Sequence, residues 1–346
     1  VKSFPIKFVG GRVVKTGIAV FLTSIICQWL NWPAVFAVIT AIVTIEPTVS
    51  DSIKKGLVRF PATAIGSAYA VLFIFLFGNS PFTYTAAALC TIITCFKLNL
   101  RDGLLVATLT SVAMIEVIHS NYFIAFFIRL GTTSIGLLVS TLVNMFVLPP
   151  NYSKTIMSNI QSLLKMTGEE LDTLTKEIFI SEGKKKNHDR IRQTFSLLKK
   201  ELDHTEMLLQ FQKEESKYHR FDEEEQKVYN TEQDQLSKLR LIHYHIGNLI
   251  GTPLHTVSWE QDQCNKLIQA VSSLADTMKQ PSHFRLNKHR EQVHELMDQF
   301  WASKNVAETK QETTQNSNLF SAEIIILYEL LSIYNLVESL LIDAKK

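Results

Sequence analysis

Residues 34–66, AVFAVITAIVTIEPTVSDSIKKGLVRFPATAIG, and residues 104–136, LLVATLTSVAMIEVIHSNYFIAFFIRLGTTSIG, are two copies of one pattern. Overlaid without a gap at an offset of seventy, they match Ala37 with Ala107, Thr40 with Thr110, Ile45 with Ile115, Glu46 with Glu116, Ser50 with Ser120, Arg59 with Arg129, Thr63 with Thr133, Ile65 with Ile135 and Gly66 with Gly136. In each copy thirteen positions separate the glutamate from the arginine. Apolar bias explains the isoleucines but not the matched charges. An ionisable side chain at membrane depth costs roughly 2.5–3.5 kcal/mol on insertion scales, so Arg59, Arg129, Glu46 and Glu116 become the candidate substrate-binding residues.

Outward from the repeat, the composition marks a change of solvent. Of the 35 basic and 33 acidic residues, 11 fall within 13–150 and 54 within 151–346. The mean hydropathy of +0.09 therefore averages a lipid-soluble part, residues 1–150, and a water-soluble part, residues 151–346, with the boundary near Pro149-Pro150. The net charge of +2 points to no class of partner.

Six spans are expected in the first part, at about 13–30, 33–45, 54–77, 83–96, 103–118 and 122–148. The second is short against the ~20 residues that cross a hydrocarbon core, so tilt, a kink at Pro47 or partial crossing is expected there. Lys2, Lys7, Arg12 and Lys15 precede the first span, Lys54 and Lys55 lie between the second and third, and Lys97 and Arg101 between the fourth and fifth. The alternate connections, 31–33, 78–81 and 119–121, carry no Lys or Arg, so both termini are expected in the cytoplasm of a multi-pass cell-membrane protein. Lys7 and Arg12 before an apolar run imitate a secretory leader, but no small-x-small cleavage site follows and five more spans do. Repeats of three spans, about 13–80 and 81–150, enter the bilayer from opposite sides and are therefore inverted, the arrangement with which transporters build a site at the repeat interface.

Two readings of the charges follow. Each Glu ends a span and each Arg lies early in the next, so Glu46 and Arg59 can clamp one hairpin and Glu116 and Arg129 its mirror image. Alternatively, two guanidiniums suited to carboxylates line a path for small organic anions. Gly66 and Gly136, each ending a Thr-x-Ile-Gly run, are read as helix-packing positions, because small residues let helices approach closely in lipid. Lys15 is expected to snorkel to the interface, Trp29 and Trp32 to anchor there, and Asn144 to serve as a bundle hydrogen bond or a pore contact.

The second part reads as helices at about 152–179, 188–219, 223–250, 259–278, 286–303 and 319–343, with a flexible linker at 304–318. Leu236, Leu239, Ile242, Ile246 and Leu249 form an amphipathic stripe, and Asp222–Glu225 an acidic helix start. Lys184-Lys185-Lys186 reads as a solvated turn. The last helix is apolar enough to be a seventh span, but Glu323, Glu329, Glu338 and Asp343 make it a core or oligomer-interface helix. Cys27, Cys90, Cys95 and Cys264 have no metal-ligand spacing, His243/His245 and His289/His294 miss the four-residue ligand spacing, and no Gly-rich phosphate loop occurs. No cofactor, metal site or catalytic residue is expected, and the spans exclude a soluble nucleic-acid binder.

Arg12-Val13-Val14-Lys15-Thr16-Gly17, Trp32-Pro33 followed by Ala-Val-Phe-Ala, Thr44-Ile45-Glu46-Pro47-Thr48, and Arg59 with Gly66 resemble the bacterial aromatic acid exporter family, within the fusaric-acid-resistance-like membrane fold. The resemblance covers the whole chain. It implies an all-α protein with a six-span membrane part and a helical cytoplasmic part, and efflux of carboxylated, often aromatic, compounds. In the related plant malate channels it implies an anion-conducting dimer with a basic pore. A single six-span set, against the double-length exporters of the wider group, implies a homodimer in the lipid bilayer. The competing expectation is a non-transporting scaffold or sensor whose cytoplasmic helices bind a partner.

Overall fold

The computed structural model describes residues 10–117, 121–147, 151–180, 188–252, 259–313 and 321–343. Every regular element among them is helical: α1 (Gly11–Trp29), α2 (Ala34–Thr44), α3 (Val49–Phe77), α4 (Pro81–Lys97), α5 (Arg101–Val117), α6 (Tyr122–Phe146), α7 (Ser153–Ile180), α8 (His188–Glu215), α9 (Glu223–Gly251), α10 (Gln261–Lys279), α11 (Leu286–Thr313) and α12 (Ala322–Asp343), with one short 3₁₀ turn at Pro281–His283. Two compact units result. The first comprises residues 1–151 together with Phe211–Arg220, and the second residues 152–210 and 221–346.

Among the described residues four helices are long and apolar enough to cross a bilayer: α1, α3, α6 and residues 322–342 of α12. Their surroundings differ. Phe21, Phe75, Phe127, Leu138 and Phe146 of the first three are exposed, as are most large apolar side chains between Val13 and Phe146, a surface that water does not favour. In α12, by contrast, Leu327, Ile333, Tyr334 and Val337 are fully buried, and the helix packs on α9 and α11. The apolar composition of α12 is consumed by the core of the second unit.

Within the first unit the two repeats pack by exchange. α3 lies on α5 and α2 on α6. A Cβ on Gly66 would come 2.4 Å from the Ala107 carbonyl oxygen, and a Cβ on Gly136 would come 2.4 Å from the carbonyl oxygen of Ala37, the counterpart of Ala107. Each repeat thus presents its glycine to the other's alanine. The correspondence reaches further back than the gapless overlay. α1 and α4 both end in an asparagine of positive φ, Asn31 (55°) and Asn99 (56°). Both caps use one hydrogen-bond pattern: Trp32 N–H donates to Cys27 O and Leu100 N–H to Cys95 O, each at 2.9 Å. The motif Cys-x-x-Leu-Asn occurs at both sites, at an offset of 68, and the overlay misses it because the connection that follows differs by two residues.

Two expectations are corrected. α3 begins at Val49, well before residue 54, because Thr48 Oγ1 caps it by accepting the Asp51 N–H at 3.1 Å. α11 continues to Thr313, so residues 304–313 are helix rather than linker; Ala, Lys, Glu and Gln there are good helix formers despite their polarity. Residues 314–318 of that stretch, and Lys184–Lys186, lie outside the described residues. Asp222 and Glu225 form a reciprocal capping box at the start of α9.

Candidate functional site

The sequence breaks helical structure at Ile45-Glu46-Pro47-Thr48, between α2 and α3, leaving backbone carbonyls without intrahelical partners. In an apolar bundle each such group must be satisfied by protein. Here side chains from three helices, α1, α3 and α6, do so. Ser52 Oγ donates to Thr44 O at 2.9 Å, Arg12 Nη2 to Ile45 O at 2.8 Å, and Arg59 Nη1 to Val43 O at 3.0 Å. Asn144 Nδ2 donates to Glu46 O at 3.1 Å and Thr48 O at 3.3 Å, and also to Ser52 Oγ at 2.8 Å. Asn144 Oδ1 in turn accepts from Lys15 Nζ at 2.7 Å. Lys15 is 5% exposed, so its ammonium is a buried partner of Asn144 and does not snorkel. At the start of α3 the Val49 N–H donates to the buried carboxylate of Glu215 at 3.1 Å, and His219 Nδ1 lies 2.9 Å from the same carboxylate.

Glu46 and Arg59 meet at this break. Arg59 Nη2 lies 2.8 Å from Glu46 Oε1, Arg59 Nε donates to Asp102 O at 3.3 Å, and Lys55 Nζ reaches Glu46 Oε2 at 3.1 Å. With its Val43 bond, Arg59 engages all three of its nitrogens, and it is 7% exposed.

The mirror pair does not form. Glu116 is exposed at the end of α5 and accepts from the Tyr84 hydroxyl of α4. Arg129 is 3% exposed, donates from Nη2 to Thr110 Oγ1, and stacks its guanidinium over the Phe36 ring at 4.2 Å from the centroid. Its Nε and Nη1 have no hydrogen-bond partner among the described residues. The expected Glu116–Arg129 clamp is therefore corrected. Tyr84 draws the carboxylate to the rim, while Thr110 and Phe36 hold the guanidinium inside. Trp32 packs edge-on into the space left by Gly131, where a Cβ would lie 2.3 Å from the ring, whereas Trp29 is 88% exposed.

An apolar groove of about 460 Å³ lies between α3 and α6, lined by Val71, Leu72, Phe75, Tyr122, Phe126 and Phe127 among others. Phe75, Phe123 and Phe127 of this groove are exposed, and Arg129, whose guanidinium rests on Phe36 and Thr110, does not line it. The network of Arg12, Lys15, Asn144 and Ser52 was missed as a unit by sequence reasoning. An asparagine inside an apolar run was its one available signal.

An apolar helical bundle whose large apolar side chains face outward, with long apolar helices and an arginine buried within it, is the architecture of a membrane protein. The chain belongs to the aromatic acid exporter family: residues 7–147 match the family described as aromatic acid exporter family member 1. It is similar over nearly its whole length to UPF0421 proteins. That of Oceanobacillus iheyensis is 47% identical over 332 residues, covering 96% of this chain and 95% of the relative. One from Bacillus cereus is 45% identical over 338 residues, covering 96% and 93%, and one from Staphylococcus haemolyticus 39% over 335 residues, covering 96% and 97%. The family is one of transporters, not enzymes, and none of these relatives carries an enzyme name.

Proposed function

We propose that this protein carries organic carboxylates, aromatic ones among them, out of the cytoplasm across the cell membrane. In this reading α1–α6 are six spans forming two inverted repeats, residues 1–150 are the transmembrane domain, and residues 152–346 form a cytoplasmic helical domain that joins two copies into a homodimer. Both termini face the cytoplasm, and transport needs no cofactor. The observation that carries the proposal is Arg129, a guanidinium buried between elements of both repeats with two donors unpaired. An anchor has no use for such a group, since a buried donor left without a partner costs ~1–3 kcal/mol. The description of the matched family by aromatic acids supports an aromatic body for the anion.

The test is flux of benzoate and of short aliphatic carboxylates into proteoliposomes holding purified protein. Saturable or conductive carboxylate flux is expected. Its absence across such a panel, with protein that elutes as one species, would favour a scaffold or sensor. One observation leans that way for half of the site: Arg59 is fully paired, as a structural clamp would be.

A further inference from the structure

We propose that the duplicated arginines have divided their labour: Arg129 is the residue that recognises the substrate carboxylate, with Phe36 and Thr110 holding it, and Arg59 is a fold-holding residue that never meets the anion. This deepens the proposed function and rests on it for the direction of transport, but not for binding.

The two side chains start from equal sequence positions and end in opposite chemical states. Arg59 donates to one carboxylate oxygen and two backbone carbonyls at 2.8, 3.0 and 3.3 Å, and its carboxylate partner is shared with Lys55. An incoming carboxylate would have to displace Glu46 and leave the carbonyls of Val43 and Asp102 bare. Arg129 presents the reverse. Its own copy of the glutamate, Glu116, is engaged by Tyr84 at the rim, and Ala113, the counterpart of Val43, receives nothing from Nη1. Nε and Nη1 are therefore free to donate; they lie on different edges of the guanidinium, so a carboxylate would pair bidentately with one of them together with the N–H of Nη2 that Thr110 leaves. The third nitrogen is tied by Thr110, and the Phe36 face below the guanidinium fixes its plane, so the cation is oriented before the ligand arrives. A lysine there would supply charge without that geometry. The two copies differ in chemistry: Arg59 holds Glu46, whereas Tyr84 holds Glu116 and leaves Arg129 without a carboxylate.

Two measurements on the full chain test this. Binding of radiolabelled benzoate to detergent-purified protein is read by scintillation proximity, and benzoate flux is read in proteoliposomes, for wild type, Arg129→Lys, Arg129→Gln, Arg59→Lys and Phe36→Leu, each checked for monodisperse elution. Loss of a charge-assisted carboxylate contact is expected to weaken binding roughly 10- to 100-fold in Arg129→Gln. Arg129→Lys is expected to weaken binding by about tenfold and Phe36→Leu by less. Arg59→Lys is expected to bind benzoate with unchanged affinity while yielding less folded protein. Unchanged benzoate affinity in well-folded Arg129→Gln, or an equal loss in Arg59→Lys, overturns the division. So does wild-type protein that binds neither benzoate nor aliphatic carboxylates. Binding that depends on Arg129 without any flux would instead sink transport and leave the receptor assignment standing.

Discussion

Replacing each repeated arginine by methionine should move stability in opposite directions. In Arg59→Met the carboxylate of Glu46 loses its guanidinium and the carbonyls of Val43 and Asp102 lose their donors. Removing one partner of a buried ion pair costs about 3–5 kcal/mol. Lys55 remains on Glu46, which places the expected loss near the lower end, about 3 kcal/mol. In Arg129→Met one hydrogen bond to Thr110 and the stacking on Phe36 are lost, together worth about 2–4 kcal/mol. Against this, two buried donors without partners, at about 1–3 kcal/mol each, are removed, a gain of about 2–6 kcal/mol. Methionine sulfur on the Phe36 ring recovers part of the stacking. The net expectation is a change between zero and about 2 kcal/mol of added stability, so identical substitutions at equivalent positions should differ by about 3–5 kcal/mol. Thermal melts of both purified variants in one detergent, followed by the fraction that remains monodisperse, read this as a gap of order 10 °C. Equal melting points, or a more stable Arg59→Met, would refute the unequal pairing on which the site assignment depends.

The remaining predictions concern packing, the helix break and pH. Gly66→Ala and Gly136→Ala should each cost about 1–3 kcal/mol or more, because the new Cβ meets a backbone oxygen; Gly17→Ala, which meets nothing within 4 Å, should gain about 0.5–1 kcal/mol, and the same melts check all three. Asn144→Leu leaves Glu46 O and Thr48 O without their donor and Lys15 with only the backbone carbonyl of residue 144, so a loss of about 2–4 kcal/mol and a lower yield of folded protein are expected. In the second unit, burial first, then the nearby cations Lys199 and Arg240, push the His243 pKa down to about 4, and neither ring nitrogen has a partner. The unfolded chain then binds the extra proton first, so stability should be complete above about pH 6.5 and fall as pH drops toward 4, by up to about 3 kcal/mol. His243→Phe should remove that part of the acid sensitivity in melts taken between pH 4 and 7, and a wild-type melting point that is flat across that range would count against it.

What could be read in the sequence was whatever the chain encodes locally. The Glu46–Arg59 contact spans one hairpin, so spacing alone brings it together. The helices follow from apolar runs bounded by caps, and Thr48, Ser80 and Asp222 each cap the helix they precede. The fate of Arg129 was not legible, because it depends on Tyr84, which faces Glu116 only once α4 has packed on α5. The Lys15–Asn144 bond joins residues 129 positions apart, and nothing in either neighbourhood announces the other. Polarity misled at 304–313, where a polar helix and a linker share a composition.

The exchanged glycine contacts determine which parts of the first unit can move together. Because Gly66 touches the Ala107 backbone and Gly136 the Ala37 backbone, α3 is seated on α5 and α2 on α6 with no side chain between to rearrange. The natural sliding blocks are therefore hybrids, each assembled from one helix of either repeat, and the seam between them does not follow the duplication. Arg129 on α6 reaches across that seam to Thr110 on α5. A shear of one hybrid past the other would therefore have to break that bond, so the Thr110 contact ties the two hybrids together at the buried guanidinium.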